Sequence, residues 1–471
     1  MLHQEQKQRS STFSYQPALT LGNGSYRHYF LKKQTHKPLP QLFNVEELSK
    51  IQLVDGQKVL VDAVTKTYTE LYTECEFPVR GQGTVLFEFN TTQPFRIVLS
   101  DQKVQSNGQR SVLVLDVGDK HTYFRKRNND ESEDVLSSTT EMRALLESGK
   151  KHKYWISLDK KNRRLRFGKG YMHSQLCVFE FSFSDAGAAG KENSFAWIEN
   201  IRYVALCGAW NEIDVKEIQH ELWPLPVTID LPPYIIRNEV VTLDEMESCL
   251  VTVVENLPQE CQHLYANVAA PNILLNSPDF PDFADAINHS IITPGCICYE
   301  MLKSKAGEFG KSDPKATYLR VTVGVDRGDS PGIPYVLEIW PGGHYSPIHS
   351  HANSYAIIKI LHGEIVAEYY PELSIDQQDY FTCAYLKKGD VTWLSNDFYQ
   401  THRLYNHKPE GEMCATIQCY EYGGNDRTHY EFFDYIDEEA KQIKQFTPNT
   451  DWSYGEFKHK LKEEWSKYKS R

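Results

Sequence analysis

Between residues 46 and 225, apolar side chains recur at every second position. Val85, Phe87 and Phe89 alternate with Leu86 and Glu88. Phe95, Ile97 and Leu99 alternate with Arg96 and Val98, and Phe179, Phe181 and Phe183 with Glu180 and Ser182. Successive side chains of an extended chain point to opposite faces, so this period predicts half-buried β-strands. Val112 to Val117 reads as a buried strand, and Ile201 to Cys207 closes the series. Tyr154-Trp155-Ile156-Ser157-Leu158 and Leu165-Arg166-Phe167-Gly168 form a predicted hairpin around the turn Asp159 to Asn162. Short strands separated by turn residues predict a β-sandwich over 46–225. The charged, serine-rich stretch Asn128 to Thr140 interrupts the pattern and reads as a mobile loop.

On either side the pattern changes. Residues 1–45 are polar and aperiodic, which predicts a flexible arm with one docked strand near Tyr26 to Leu31. Four prolines between Leu222 and Ile235 predict an extended linker over 226–240. Beyond it, Thr242 and Glu245 are spaced as a capping box. Met246, Leu250, Val253, Val254 and Leu257 continue with helical spacing up to Pro258, which is expected to stop the helix. A second helix is expected over Phe280 to Asn288. From Thr317 to about residue 435 the chain returns to strands and turns. Asp437 to Phe446 and Gly455 to Tyr468 are charged and read as helical or frayed, with 446–471 a charged tail. The expected fold is mainly β: an N-terminal β-sandwich, then a β domain over 241–445 with a short helical preface.

Composition narrows the function classes. The 471 residues, 40% hydrophobic with 28 Tyr and 22 Phe, can fill two strand-rich cores. A net charge of −12 argues against a nucleic-acid-binding surface. The basic runs Lys150 to Lys153 and Lys160 to Arg164 are short and read as solvated hairpin turns. The first residues show no apolar core of a secretory signal, and no run reaches the ~18 apolar residues of a membrane span. The ten cysteines are scattered without C-x-x-C pairs, so they read as free thiols in a reducing cytoplasm, and Cys296-x-Cys298 is at most a weak metal signal.

One constellation carries chemistry. Gly343 is followed after five residues by His349-x-His351, then by Ala356 and Gly363. Lys387-Lys388-Gly389-Asp390 precedes His402, and Asn406 follows it after three residues. On a strand, His349 and His351 point the same way, and imidazoles sharing one face form half of a metal site. The alternative is a polar turn that happens to hold two histidines.

These spacings resemble the two cupin motifs, with Ala356 where the acid ligand usually stands and a Gly389 to His402 interval two residues longer than usual. The resemblance therefore implies a cupin (jelly-roll) barrel holding a metal on three neutral imidazoles. Such a site keeps the full double charge of the ion and suits an anionic substrate together with dioxygen. More closely, residues 240–435 resemble cysteine dioxygenases. The likeness lies in Trp340-Pro-Gly-Gly-His344-Tyr-Ser-Pro-Ile-His349-Ser-His351-Ala-Asn-Ser354, in His402-Arg403 and Asn406, and in Tyr318-Leu319-Arg320 upstream. It implies Fe(II) on His349, His351 and His402, a substrate carboxylate on Arg320 with Tyr318 and Gln418 beside it, and Tyr420 orienting bound oxygen. Arg320 as an ordinary strand arginine with an acidic neighbour is the competing reading, and Arg327 is the fallback for the carboxylate.

Departures are as informative. Thr416 and Gln418 replace the family's serine and histidine before Tyr420, and Ala356 also stands where the animal enzymes carry a cysteine crosslinked to that tyrosine. His344 and His362 read as turn or loop residues, His407 and His429 as exposed, and Glu364 and Glu368 as lying too late to ligate. In the N-terminal half, Tyr154 to Ser157, Phe167-Gly168-Lys169-Gly170 and Gly208-Ala209-Trp210 are similar to the farnesoic acid O-methyltransferase-like domain. That likeness implies a binding sandwich for a protein or small-ligand partner, with no glycine-rich nucleotide loop to support methyl transfer.

The expected activity is oxidation of L-cysteine to its sulfinic acid with O2. The alternatives are a dioxygenase for another small thiol, such as mercaptopropionate or a peptidyl cysteine, and a non-catalytic metal-binding sensor or scaffold. Arg320 argues against the peptidyl thiol, which lacks a free carboxylate.

Overall fold

The computed structural model describes residues 50–54, 57–61, 67–102, 112–128, 132–183, 195–208, 218–228, 230–270, 272–310, 313–324, 335–376, 378–422 and 432–470, with side chains from residue 75 onward. They form two compact units, one within Lys37–Asp230 and one within Leu231–Arg471. The arm expected over 1–45, with its strand near Tyr26, lies outside the described residues, as do Arg327, His429, Ala209 and Trp210. No described helix is long and apolar enough to cross a membrane.

The alternating segments become two antiparallel sheets of eight and five strands. Their apolar sides meet: Phe95 on one sheet packs 4.9 Å from Tyr154 and 5.0 Å from Phe89 on the other. Val85, Phe87, Ile97, Leu99, Ile156 and Phe167 fill the same core. The sandwich is therefore built on the faces that the two-residue period marks out.

The predicted hairpin is present. Lys151–Asp159 pairs with Arg164–Lys169, and Asp159 Oδ1 accepts from the Lys161 and Asn162 amides at 3.0 Å to close the turn. Gly168 lies directly opposite Trp155, and a Cβ on it would fall 2.0 Å from the indole. Only glycine lets the indole lie flat across that strand.

Several expectations are corrected. Of the stretch read as a mobile loop, residues 129–131 lie outside the described residues, and Glu133–Thr139 is an edge strand paired with Thr122–Arg127. Its charge is accommodated because Glu133, 4% exposed, meets Arg127 at 2.9 Å and Arg96 at 3.5 Å. Only the second basic run is a turn. Lys151 to Lys153 lie in a strand, where buried His152 pairs with Glu147 at 2.8 Å.

Nor is 226–240 a free linker. Val227 N donates to Ser157 Oγ (2.8 Å), and Asp230 accepts from the Ser174 and Gln175 amides. Leu231 and Pro232 carbonyls accept from Tyr399 and Trp393 of the second unit, in which Tyr234–Ile236 is a strand. Pro232 is tolerated there because its carbonyl, not its missing N–H group, is used.

The capping box of Thr242 and Glu245 forms, but its helix ends at Ser248 with Cys249 in the left-handed region. Val251–Val253 then pairs in parallel with Tyr234–Ile236. Two β-branched valines in strand pairing override the helical spacing. Pro258 consequently starts rather than stops a helix, Gln259–Val268, whose Leu264 and Val268 are buried. The helix expected near Phe280 spans Phe283–Ile292, and Ile297–Ser304 adds another.

The rest of this unit is two facing sheets of eight and six strands, the jelly-roll arrangement. The turn at Gly363 (φ +70°) carries the chain from Tyr355–His362 in one to Glu364–Tyr369 in the other. A Cβ there would meet the Met413 carbonyl at 2.3 Å. The C-terminal segments are ordered parts of the unit. Gln442–Phe446 pairs with Phe433–Asp437, and the helix Tyr454–Lys469 buries Phe457 and Leu461.

Gly168→Ala is expected to force the Trp155 indole off its strand and to destabilise the sandwich by about 1–3 kcal/mol. A lower urea midpoint registers this. An unchanged midpoint would show that the indole relocates without cost.

Candidate metal centre

His349 opens the two-residue strand His349–Ser350, where it lies directly across from His402 on Thr401–Tyr405. His351 is two residues on and therefore on the same side. The three ring centroids stand 4.7–4.8 Å apart, and one nitrogen from each falls within 4.8 Å of the others. Each histidine is at most 6% exposed. No other cluster of three potential ligands occurs among the described residues. The C-x-C cysteines contribute none, and Cys298 is a buried thiol.

The surrounding chain is shaped to hold this convergence. Ala352 and Asn353 adopt left-handed backbone (φ +49° and +61°), turning the chain sharply after His351. Gln400 bridges this turn to the His402 strand, accepting from Asn353 N at 3.1 Å and donating to Ser354 O at 2.7 Å. Asn406 explains its place in the motif. Buried, it donates to Trp340 O at 2.8 Å, while its backbone pairs with Gly343 and His344, locking the glycine turn to the same strand.

Hydrogen bonds also select the tautomers. His349 Nδ1–H donates to Pro347 O and His402 Nδ1–H to Tyr399 O, both at 3.0 Å. A carbonyl can only accept, so both Nε2 atoms present lone pairs. His351 Nε2 lies 3.2 Å from His402 Nε2. Two nitrogens bound side by side to one ion at about 2.0–2.1 Å stand roughly 3.0–3.4 Å apart, so this spacing fits a shared metal. Burial, with the neighbouring His402, holds His349 down to about 3. Burial holds His402 down to about 4 and drives His351 well below its ordinary value. The rings are thus neutral ligands at physiological pH.

The histidines face a cavity of about 30 Å³, room for two or three waters at ~10–15 Å³ each. Tyr318, Arg320, Gln418 and Tyr420 all line it. Tyr420 stacks at 5.5 Å on His351, and burial keeps its phenol protonated. Tyr318 stacks 4.2 Å from Trp340. Thr416 Oγ1 and Trp340 Nε1 are buried polar atoms without a protein partner, as expected of a wall that meets a polar occupant.

Arg320 is paired. Its Nη1 donates to Glu338 Oε1 at 2.9 Å, and the two residues are directly opposed on adjacent strands. Arg320 also hydrogen-bonds Tyr420, and Gln418 hydrogen-bonds Glu338. Burial lifts Glu338 above its ordinary value against the pull of Arg320, and burial pulls the guanidinium down but is outweighed by Glu338 together with Tyr420 and Tyr318, so it is raised. The motif reading missed Glu338. Its signal was a lone acid in the apolar run Tyr335-Val-Leu-Glu-Ile-Trp340, where a charge on a buried strand requires a partner. Phe433, 4.6 Å from His351, was also missed and carries no such signal.

The remaining histidines and acids lie outside the cluster. His344 Nδ1 bonds Thr317 O at 2.9 Å in the glycine turn, and His407 is exposed. Glu364 pairs with Lys408 and Glu368 with Arg403. Ala356 is fully buried directly opposite Tyr420, and its methyl group supplies neither a carboxylate nor a thiol.

No family model matches the sequence, and no curated protein does. Solved structures match over part of the chain. An uncharacterized conserved protein with a double-stranded β-helix domain from Klebsiella pneumoniae is 16% identical, covering 23% of this chain and 80% of that one, with a TM-score of 0.18. A cupin superfamily protein from Desulfitobacterium hafniense is 13% identical over 22% and 78% of the two chains, TM-score 0.17. The Cnp3 cupin domain of Schizosaccharomyces pombe is 13% identical over 23% and 70%, TM-score 0.18. Within this chain, a jelly-roll arrangement of two sheets holds three converging histidines that could ligate a metal ion.

His349→Ala is expected to abolish stoichiometric binding of a divalent metal, measured by metal analysis after dialysis, with far-ultraviolet circular dichroism unchanged. Retained stoichiometric metal would remove His349 from the ligand set.

A pH dependence follows from the depressed rings. An unfolded chain protonates its histidines near pH 6.5, whereas the folded chain refuses protons down to about 4 at His402 and about 3 at His349. The unfolded state therefore binds more protons as pH falls below 6.5. Stability of the metal-free protein drops by up to about 1.4 kcal/mol per pH unit per histidine. Urea unfolding between about pH 7 and 5 measures the slope, and His402→Asn is expected to make it shallower.

Proposed function

We propose that the C-terminal unit is an iron-dependent dioxygenase for small thiols, with L-cysteine as the substrate its sequence motifs favour. The observation that supports it most is the donor set: three buried, neutral imidazoles with no carboxylate among them, facing a small enclosed cavity. Ferrous iron in such a set would supply the one-electron chemistry that lets triplet dioxygen react with a closed-shell thiol. Overall, RSH and O2 give RSO2H. Both oxygen atoms end on sulfur, which loses the four electrons that dioxygen gains, and no other reductant is needed.

The protein's own groups position and enclose. Tyr420, neutral and stacked beside His351, offers an O–H at the edge of the reaction space. Arg320 and Glu338 form a polar wall opposite the histidines, and Ile358, Ile360 and Leu404 keep the remaining lining apolar. Ten cysteines, none of them in a disulfide, suit a reducing cytoplasm, where ferrous iron and thiols persist. The N-terminal sandwich would serve as a binding module for a protein or small-ligand partner.

Anaerobically iron-loaded protein is expected to consume oxygen in proportion to added thiol and to yield a sulfinic acid by mass spectrometry. Stoichiometric iron with no oxygen uptake for any of cysteine, mercaptopropionate or 2-aminoethanethiol would leave a metal-binding sensor or scaffold instead.

A further inference from the structure

We propose that the thiol taken by this centre carries an amine and no free carboxylate, as 2-aminoethanethiol does, and that Glu338 sets this preference by occupying Arg320. The inference rests on the thiol reading above and departs from the L-cysteine that the sequence motifs favour.

Arg320 is the cation that a substrate carboxylate would need. It faces Glu338 in strand register, 2.9 Å away, with side chains 9% and 5% exposed. The pair is part of the cavity wall, not a surface contact. The Tyr420 phenol also interacts with the guanidinium, and the Gln418 amide with the carboxylate. With the three imidazoles neutral, the charges of the wall already cancel. A bound divalent ion then calls for an anion, and a thiolate supplies one.

A substrate carboxylate has two ways in, and both are unfavourable. It can displace Glu338 from Arg320, which leaves a buried carboxylate without a partner. It can instead sit beside Glu338, placing two like charges in one small enclosed space. The wall's unpartnered polar atoms, Trp340 Nε1 and Thr416 Oγ1, are neutral and can hydrogen-bond a ligand without offsetting its charge. An amine meets the opposite situation. A carboxylate has about four acceptor positions, and Arg320 and Gln418 leave some of those on Glu338 open to an N–H donor.

Cobalt(II)-loaded full-length protein, titrated anaerobically, reads thiol binding directly through the thiolate-to-cobalt charge-transfer band. 2-Aminoethanethiol is expected to bind at least about tenfold more tightly than L-cysteine or 3-mercaptopropionate. Glu338→Gln frees Arg320 and is expected to raise affinity for both carboxylate thiols by about tenfold or more while weakening 2-aminoethanethiol. Glu338→Asp, which keeps the charge, should retain the wild-type order. Cobalt stoichiometry confirms that each variant is folded, and the wild-type titration stands alone if one is not. Equal or tighter binding of L-cysteine or 3-mercaptopropionate to the wild type would overturn this preference while leaving the thiol reading intact. A band that responds to none of the three would overturn the thiol reading itself, and this inference with it.

Discussion

Three imidazoles can share a few ångströms of protein interior only if none of them is charged. That constraint governs the C-terminal unit. The rings of His349, His351 and His402 are at most 6% exposed and stand 4.7–4.8 Å apart, so protonating one would bury a cation against two neighbours. Two backbone carbonyls, of Pro347 and Tyr399, fix the neutral tautomer by accepting the Nδ1 protons. The left-handed turn at Ala352 and Asn353, the Gln400 bridge and the Asn406 lock all serve to keep those rings in place. The glycine turn and the six-stranded sheet contribute to the same end, since His349 meets His402 only when their strands are in register.

The same cavity holds a buried ion pair, and its physics differs from that of the histidines. A buried Arg–Glu pair adds little net stability compared with apolar residues of the same shape, because desolvating both groups costs about as much as their attraction returns. Arg320 and Glu338 are therefore better understood through what they admit to the cavity. An unpaired arginine would invite a carboxylate, whereas a paired one presents a balanced wall. A residue type that family resemblance assigns to substrate binding thus acquires a different meaning from the side chain across the strand.

The sandwich shows the same logic at a structural level. Glu133 sits in a stretch whose composition reads as solvated, yet Arg96 and Arg127 on neighbouring strands neutralise it and the stretch pairs as an edge strand. Local composition measures the cost of burying a charge. It contains no information on whether a partner waits on another strand.

What the sequence determined by itself was whatever depends on local period and spacing. Alternation placed Phe87, Phe95 and Tyr154 on core-facing sides, and the H-x-H spacing put His349 and His351 on one face. The capping box of Thr242 and Glu245 was equally local and formed as read. What only the tertiary structure decided was pairing across long separations. Val251–Val253 left the helical pattern because a parallel strand was available, and the C-terminal helix packed because Phe457 and Leu461 found a core. Arg320 acquired Glu338, 18 residues away and directly opposite it. Local preferences amount to a few tenths of a kcal/mol per residue, whereas burial and charge pairing are larger and depend on residues that only folding brings together.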